Sequence, residues 1–192
     1  MTSSDQTLLR AGAKDRIGAR VGTSIDGAEA HRASGFRVGL ACAEFNGGIT
    51  ERLVTGALDA LEERGCDLDH SIVAWVAGAF ELPLVALHLA QSDAVDAVIC
   101  LGAVIRGDTG HYEFVAGECA SGLQRVQLDT GTPVVFGVLT TETVEQALVR
   151  SEPDQSNKGR EAALTAISTA EVLAAVSSKT SDPGIGFSVR AR

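Results

Sequence analysis

The chain has 192 residues, 45% of them hydrophobic and only 21% charged, with 21 glycines, 4% aromatics and a net charge of −9. That length suits one domain with a full core, and the small-residue palette suits an α/β protein whose helices lie close on a sheet. No run of Lys or Arg supplies the basic stripe that a phosphodiester backbone needs, and no apolar run reaches the roughly 18 residues of a membrane span, which argues against nucleic acid and membrane as partners.

Residues 1–35 lack the apolar core of a secretory signal. Arg10, Arg16 and Arg20 among Ser, Ala and Gly resemble a transit peptide, but Asp5, Asp15, Asp26 and Glu29 oppose that reading. The segment is expected to be a disordered or loosely attached extension of a cytoplasmic protein. Regular patterning starts at Phe36, where FRVGLACA (36–43) reads as a buried strand that Asn46-Gly47-Gly48 breaks. Leu53, Val54, Ala57, Leu58 and Leu61 give Thr50–Arg64 the stripe of an amphipathic helix, stopped by Gly65.

SIVAWV (71–76) is a second strand, and a helix follows over 82–91 with Pro83 tolerated in its first turn. The near-continuous apolar run DAVICLGAVI (96–105) fits a central strand covered on both faces. Residues 112–128 read helical, PVVFGVL (133–139) is a fourth strand, and 143–150 is a short helix that Thr143 can cap. A polar loop, 151–156, precedes a long Ala-rich helix over 157–176, and the tail from 177 need not be ordered. This alternation predicts a doubly wound, flavodoxin-like three-layer αβα sandwich on a four-stranded parallel sheet, with the domain proper at 36–176.

In such sheets ligands collect beyond the carboxyl ends of the strands, which brings four turns together: 44–50, 77–81, 106–111 and 139–143. The third, in GAVIRGDTGH (102–111), carries the most chemistry. Backbone N–H groups at a helix start attract phosphate, Thr109 adds a hydroxyl, and His111 offers imidazole, which titrates nearest neutral pH. Taken alone, Thr109 is equally a helix cap, His111 a surface residue, and Asp108 an unwelcome charge beside an anion. Phe45 and Asn46 offer an aromatic face and an amide to a planar heterocycle, or else an ordinary core residue and turn. Glu81 can accept hydrogen bonds from sugar hydroxyls or simply favour a helix N-terminus. Arg150 and Lys158 flank the polar loop, where they can pair with phosphate or stay solvated.

The four cysteines (Cys42, Cys66, Cys100, Cys119) show no CxxC pairing and no His at ligand spacing. Cys42 and Cys100, inside apolar runs, are read as packed thiols, the chain reads as reduced, and neither structural zinc nor a disulfide framework is expected. GxxxxGK[ST], a GxGxxG after the first strand, GxSxG and HExxH are all absent.

In order and spacing, EFNGGIT (44–50), GAFELP (78–83), DAVICLGAVIRGDTGHYEFVA (96–116), TPVVFGVLTTETVEQALVR (132–150) and NKGREAA (157–163) resemble the 6,7-dimethyl-8-ribityllumazine synthase family. The resemblance covers residues 36–176. It implies that 5-amino-6-(D-ribitylamino)uracil condenses with 3,4-dihydroxy-2-butanone 4-phosphate to give the lumazine, phosphate and water. It implies no metal and no cofactor. Under that reading Phe45 stacks on the pyrimidine with Asn46 nearby, and the backbone of Ala103, Val104 and Ile105 reads the uracil edge. Ala79, Phe80 and Glu81 lie along the ribityl chain. Asp108 and Thr109 supply donors to the phosphate, and His111 is the acid–base residue.

The resemblance also implies that Phe136, Arg150 and Lys158 complete the site from a neighbouring subunit, Arg150 on the phosphate and Lys158 at the pyrimidine. A homo-oligomer follows, either a pentamer or a shell of sixty subunits. The short loop between Arg150 and Lys158 points towards the shell, and riboflavin synthase is the expected protein partner. Two positions depart from the family pattern. Ala77 stands where Pro is common, and Gly110 replaces the usual Pro or Thr before His111, which predicts a looser catalytic turn. A non-catalytic flavin- or lumazine-binding shell protein is the alternative, but it would have little reason to keep Phe45, Glu81, His111, Arg150 and Lys158 together. A flavodoxin-like FMN protein would carry its phosphate loop after the first strand, where EFNGGIT has too few hydroxyls.

Overall fold

The computed structural model of the chain describes residues 35–180, with Ala19 as an isolated residue. The expected extension and the far end of the tail therefore lie outside the described residues. Chain order runs β1 (Val38–Ala43), α1 (Gly47–Glu63), β2 (Ile72–Val76), a 3-10 turn (Ala79–Glu81), α2 (Leu82–Ala90) and β3 (Ala97–Ile105). It continues with α3 (His111–Thr130), β4 (Val134–Thr141), α4 (Val144–Arg150) and α5 (Lys158–Thr180). The four strands are all parallel, in the order β2-β1-β3-β4.

Period-two alternation divides the sheet between two cores. Val38, Leu40 and Cys42 of β1 join Ile99, Leu101 and Ala103 of β3 against α1 and α5. Ala41 and Ala43 join Val98, Cys100 and Val104 on the opposite face, against α2 and α3. Leu40, Leu53, Leu61, Ile99 and Leu101 are fully buried, and each such side chain contributes about 1.5–3 kcal/mol relative to exposure. The α1–α5 crossing is close because of Gly159: a Cβ there would sit 1.9 Å from the Leu53 carbonyl oxygen. Arg160 then ties the same two helices by pairing both guanidinium nitrogens with Glu63, Nη1 at 3.0 Å.

Boundaries shift from the sequence expectation for local reasons. Helix α1 starts at Gly47 rather than Thr50, because Asn46 takes a left-handed conformation (φ 60) and its carbonyl accepts from the Ile49 N–H at 2.9 Å. Gly65, at φ 74, stops that helix as anticipated. Strand β4 runs two residues past Leu139, pairing Ile105 with Thr141. Helix α5 continues to Thr180 because residues 177–180 contain no breaker, and Ser178 Oγ donates back to the Ala175 carbonyl at 2.9 Å. Thr143 caps α4 as its position suggested, accepting from the Gln146 N–H at 3.3 Å.

All four cysteines are free. Burial pushes the Cys42 and Cys119 thiols up to about 12 and holds the Cys100 thiol well above its usual range, so none of the three is a nucleophile at neutral pH. Among the described residues no helix is long and apolar enough to cross a membrane, and no group of three His, Cys, Asp or Glu is placed to hold a metal.

Candidate active site

Strand β1 is followed by β2 on one side and by β3 on the other, so the strand order reverses between β1 and β3. Beyond a reversal of this kind the two connections splay apart and leave a crevice. A cleft of about 630 Å³ opens there, at the carboxyl ends of β1 and β3. Ala103, Val104 and Ile105 from β3 and Ala79 from the 3-10 turn line it, together with Phe45, Phe80, Glu81, Thr109 and His111. Nine of the residues singled out from sequence thus converge on one space.

Phe45 is 71% exposed and Phe80 58% exposed. Neither is a core residue; both present open aromatic faces to the cleft. Asn46 lies just behind Phe45. Its Nδ2 donates to the Ala103 carbonyl at 2.8 Å, joining the end of β1 to the end of β3. The amide is therefore a strut under the cleft floor, and the left-handed backbone that places it there is one Asn tolerates better than most residues. Glu81 ends the 3-10 turn with its carboxylate folded over Gly78; a Cβ on Gly78 would lie 3.3 Å from Glu81 Oε2.

The opposite wall is the turn from Gly107 to Gly110 and the first turn of α3. Residues 106–111 are all exposed, and Gly110, the N-cap position, makes no side-chain cap. The Thr109 hydroxyl accepts from the His111 N–H at a long 3.5 Å. The start of a long helix and one hydroxyl thus border the cleft, an arrangement suited to an anion. Asp108 is exposed and is not among the lining residues. Gly110 has φ −67 and ψ 7, a backbone most residues adopt, and the nearest atom to a Cβ there is Glu113 Oε2 at 3.8 Å.

Arg106 sits behind this turn, outside the lining. Its guanidinium carbon lies 4.2 Å from the centre of the Tyr112 ring, its Nη1 pairs with Glu113, and its Nε pairs with Glu142 at 2.6 Å. The hydrogen bond from Arg106 holds the Glu113 carboxyl below its usual range.

Phe136, Arg150 and Lys158 do not reach the cleft of their own chain. Phe136 lies in the middle of β4, paired in register with Cys100 and 40% exposed. Arg150 ends α4, and its Nη1 donates to the Gln146 carbonyl at 2.9 Å. Lys158 begins α5 and pairs with Glu161. The loop between them is fixed by buried Asn157, whose Oδ1 accepts from the Gly159 N–H at 2.8 Å and whose Nδ2 donates to the Glu152 carbonyl at 2.9 Å.

Tyr112, Phe114 and Val115 line the cleft without having been singled out. The signal was present, since Phe114 and Val115 follow His111 at i+3 and i+4 on one helix face.

Residues 35–174 match the 6,7-dimethyl-8-ribityllumazine synthase family. The chain belongs to that family. A curated relative from Edwardsiella ictaluri (strain 93-146), named 6,7-dimethyl-8-ribityllumazine synthase, is 55% identical over 141 residues, covering 73% of this chain and 90% of the relative. The function that goes with the family is transferase chemistry on small molecules in riboflavin biosynthesis, carried out by a homo-oligomer.

Proposed function

We propose that this cleft condenses 5-amino-6-(D-ribitylamino)uracil with 3,4-dihydroxy-2-butanone 4-phosphate, giving 6,7-dimethyl-8-ribityllumazine, inorganic phosphate and two waters. The observation that carries the reading is the convergence of an aromatic face (Phe45), a carboxylate (Glu81), an imidazole (His111) and a helix start with Thr109 around one cleft. A flat heterocycle fits against Phe45 with its polar edge on the β3 backbone, and its ribityl hydroxyls run past Ala79 and Phe80 to Glu81. The phosphate of the second substrate sits at the N–H groups and hydroxyl of residues 108–109, with its carbon chain towards His111.

The chemistry needs protons moved and two molecules held together. The 5-amino group attacks the ketone, and loss of water leaves an imine. Phosphate departs by elimination, and attack by the second nitrogen closes the ring with loss of another water. His111 is the group in the cleft suited to take and return those protons. Holding both substrates in register supplies a large part of the remaining rate.

The site is completed by a neighbouring copy. Phe136, Arg150 and Lys158 stand away from their own cleft, and Arg150 and Lys158 are fixed on either side of one ordered loop. The exposed apolar side chains of β2 and its surroundings, Ile72, Val73 and Trp75, give the chain a surface that a second copy would cover. The assembly is a pentamer or a shell of twelve pentamers, with the short loop favouring the shell, and riboflavin synthase is its expected protein partner.

The test is direct. The full chain mixed with both substrates is expected to develop lumazine absorbance and fluorescence well above the spontaneous reaction. A rate equal to that background overturns the reading.

A further inference from the structure

We propose that Arg106 is a positioning residue, which holds the turn carrying Thr109 and His111 in register with the cleft floor. The inference rests on the reading of His111 given above. Within the turn itself little fixes the geometry: two of its four residues are glycine, none is buried, and the hydroxyl contact at the helix start is long. The rigid elements on either side are therefore connected mainly through something outside the turn.

Arg106 is that connection. It is the first residue after β3, and its own N–H donates to the Thr141 carbonyl at 2.9 Å, so its backbone belongs to the sheet. Its side chain then reaches two other elements. Nε meets Glu142, the residue that follows β4, and Nη1 meets Glu113 in the first turn of α3. The guanidinium plane also covers the ring of Tyr112, immediately after His111. One planar, permanently charged group thus ties the ends of two strands to the start of α3 and sets how that helix start is rotated about its axis.

Lysine cannot reproduce this, because an ammonium has neither the fork nor the plane. Exposed pairs of this kind add little to global stability. The effect should fall on alignment, where a displacement of about 1 Å at the reacting groups lowers a rate by about a hundredfold.

The experiment is a double-mutant cycle on the full chain, with steady-state kinetics for both substrates. Arg106→Ala is expected to lower kcat by roughly tenfold to a hundredfold, with the Michaelis constant for the pyrimidine substrate within about twofold of wild type and an unchanged thermal midpoint. Arg106→Lys should recover only part of the loss. In a His111→Ala background, Arg106→Ala should lower the remaining rate by less than about twofold, since it acts through a group already absent. Glu142→Gln, which removes one tie and leaves the guanidinium, runs through the same cycle and keeps the test whole if Arg106→Ala does not fold. Its expected loss is about threefold, again only when His111 is present.

Equal fold-losses in both backgrounds, or a wild-type kcat for Arg106→Ala, overturn the proposal. If instead His111→Ala itself keeps full activity, the reading of His111 is what has failed, and the positioning role falls with it.

Discussion

One wall of the cleft is made by strand ends and the other by a turn. Ala103, Val104 and Ile105 belong to the central strand, are cross-braced by Asn46, and rest on two layers of buried side chains. Residues 107–111 have no buried side chain, and what holds them is a charged network on the surface around Arg106. The difference suits the two tasks proposed for them. Recognising a flat heterocycle needs a surface that does not deform, and close packing provides it. Handling a phosphate and moving protons needs free N–H groups and an imidazole open to exchange, which burial would neutralise or satisfy internally.

Substitutions can break this comparison from either side. The largest effect is expected at the turn. His111→Ala should lower kcat by about 10²–10⁴-fold, with the thermal midpoint and the pyrimidine Michaelis constant close to wild type; steady-state kinetics and calorimetry measure both. On the strand wall the loss should be in stability. Asn46→Ala removes the bond to the Ala103 carbonyl and leaves an alanine in a left-handed conformation, a combined loss of about 2 kcal/mol. Thermal unfolding at fixed protein concentration measures it, and Asn46→Gly, which restores the backbone freedom, should recover about half. The smallest effect returns to the turn. Gly110→Ala should raise stability by about 0.4–1 kcal/mol, because its backbone suits alanine and nothing crowds the added methyl.

Much of the strand wall was legible in the sequence, because it follows from hydrophobic runs and their punctuation. The near-continuous apolar stretch ending at Ile105 located the central strand, and the carboxyl-end rule located the cleft. Asn46 was less legible: Asn-Gly-Gly signals a break, but not that the side chain braces β3 or that the helix starts at Gly47. Strand β2 shows a second limit. SIVAWV is apolar enough for a core strand, yet Trp75 is 47% exposed, because an apolar run looks alike whether its own chain or a neighbour covers it. The turn's residue types were legible, and the charged network was not. Arg106, Glu113 and Glu142 are far enough apart in sequence that only the folded chain makes them partners. Gly110, expected to loosen the turn, has an ordinary backbone there, and no left-handed requirement explains its presence.

The same contrast separates the cleft from Phe136, Arg150 and Lys158, which are held in order but elsewhere. The measurement that bears most directly on the account is complementation between two impaired variants. His111→Ala and Arg150→Ala are each prepared, then disassembled and reassembled together, and lumazine formation is followed at a phosphate-substrate concentration where each alone is idle. The account predicts that activity returns only in the mixed assembly, where an intact His111 on one subunit meets an intact Arg150 on the next. A mixture no more active than its separate components would contradict it.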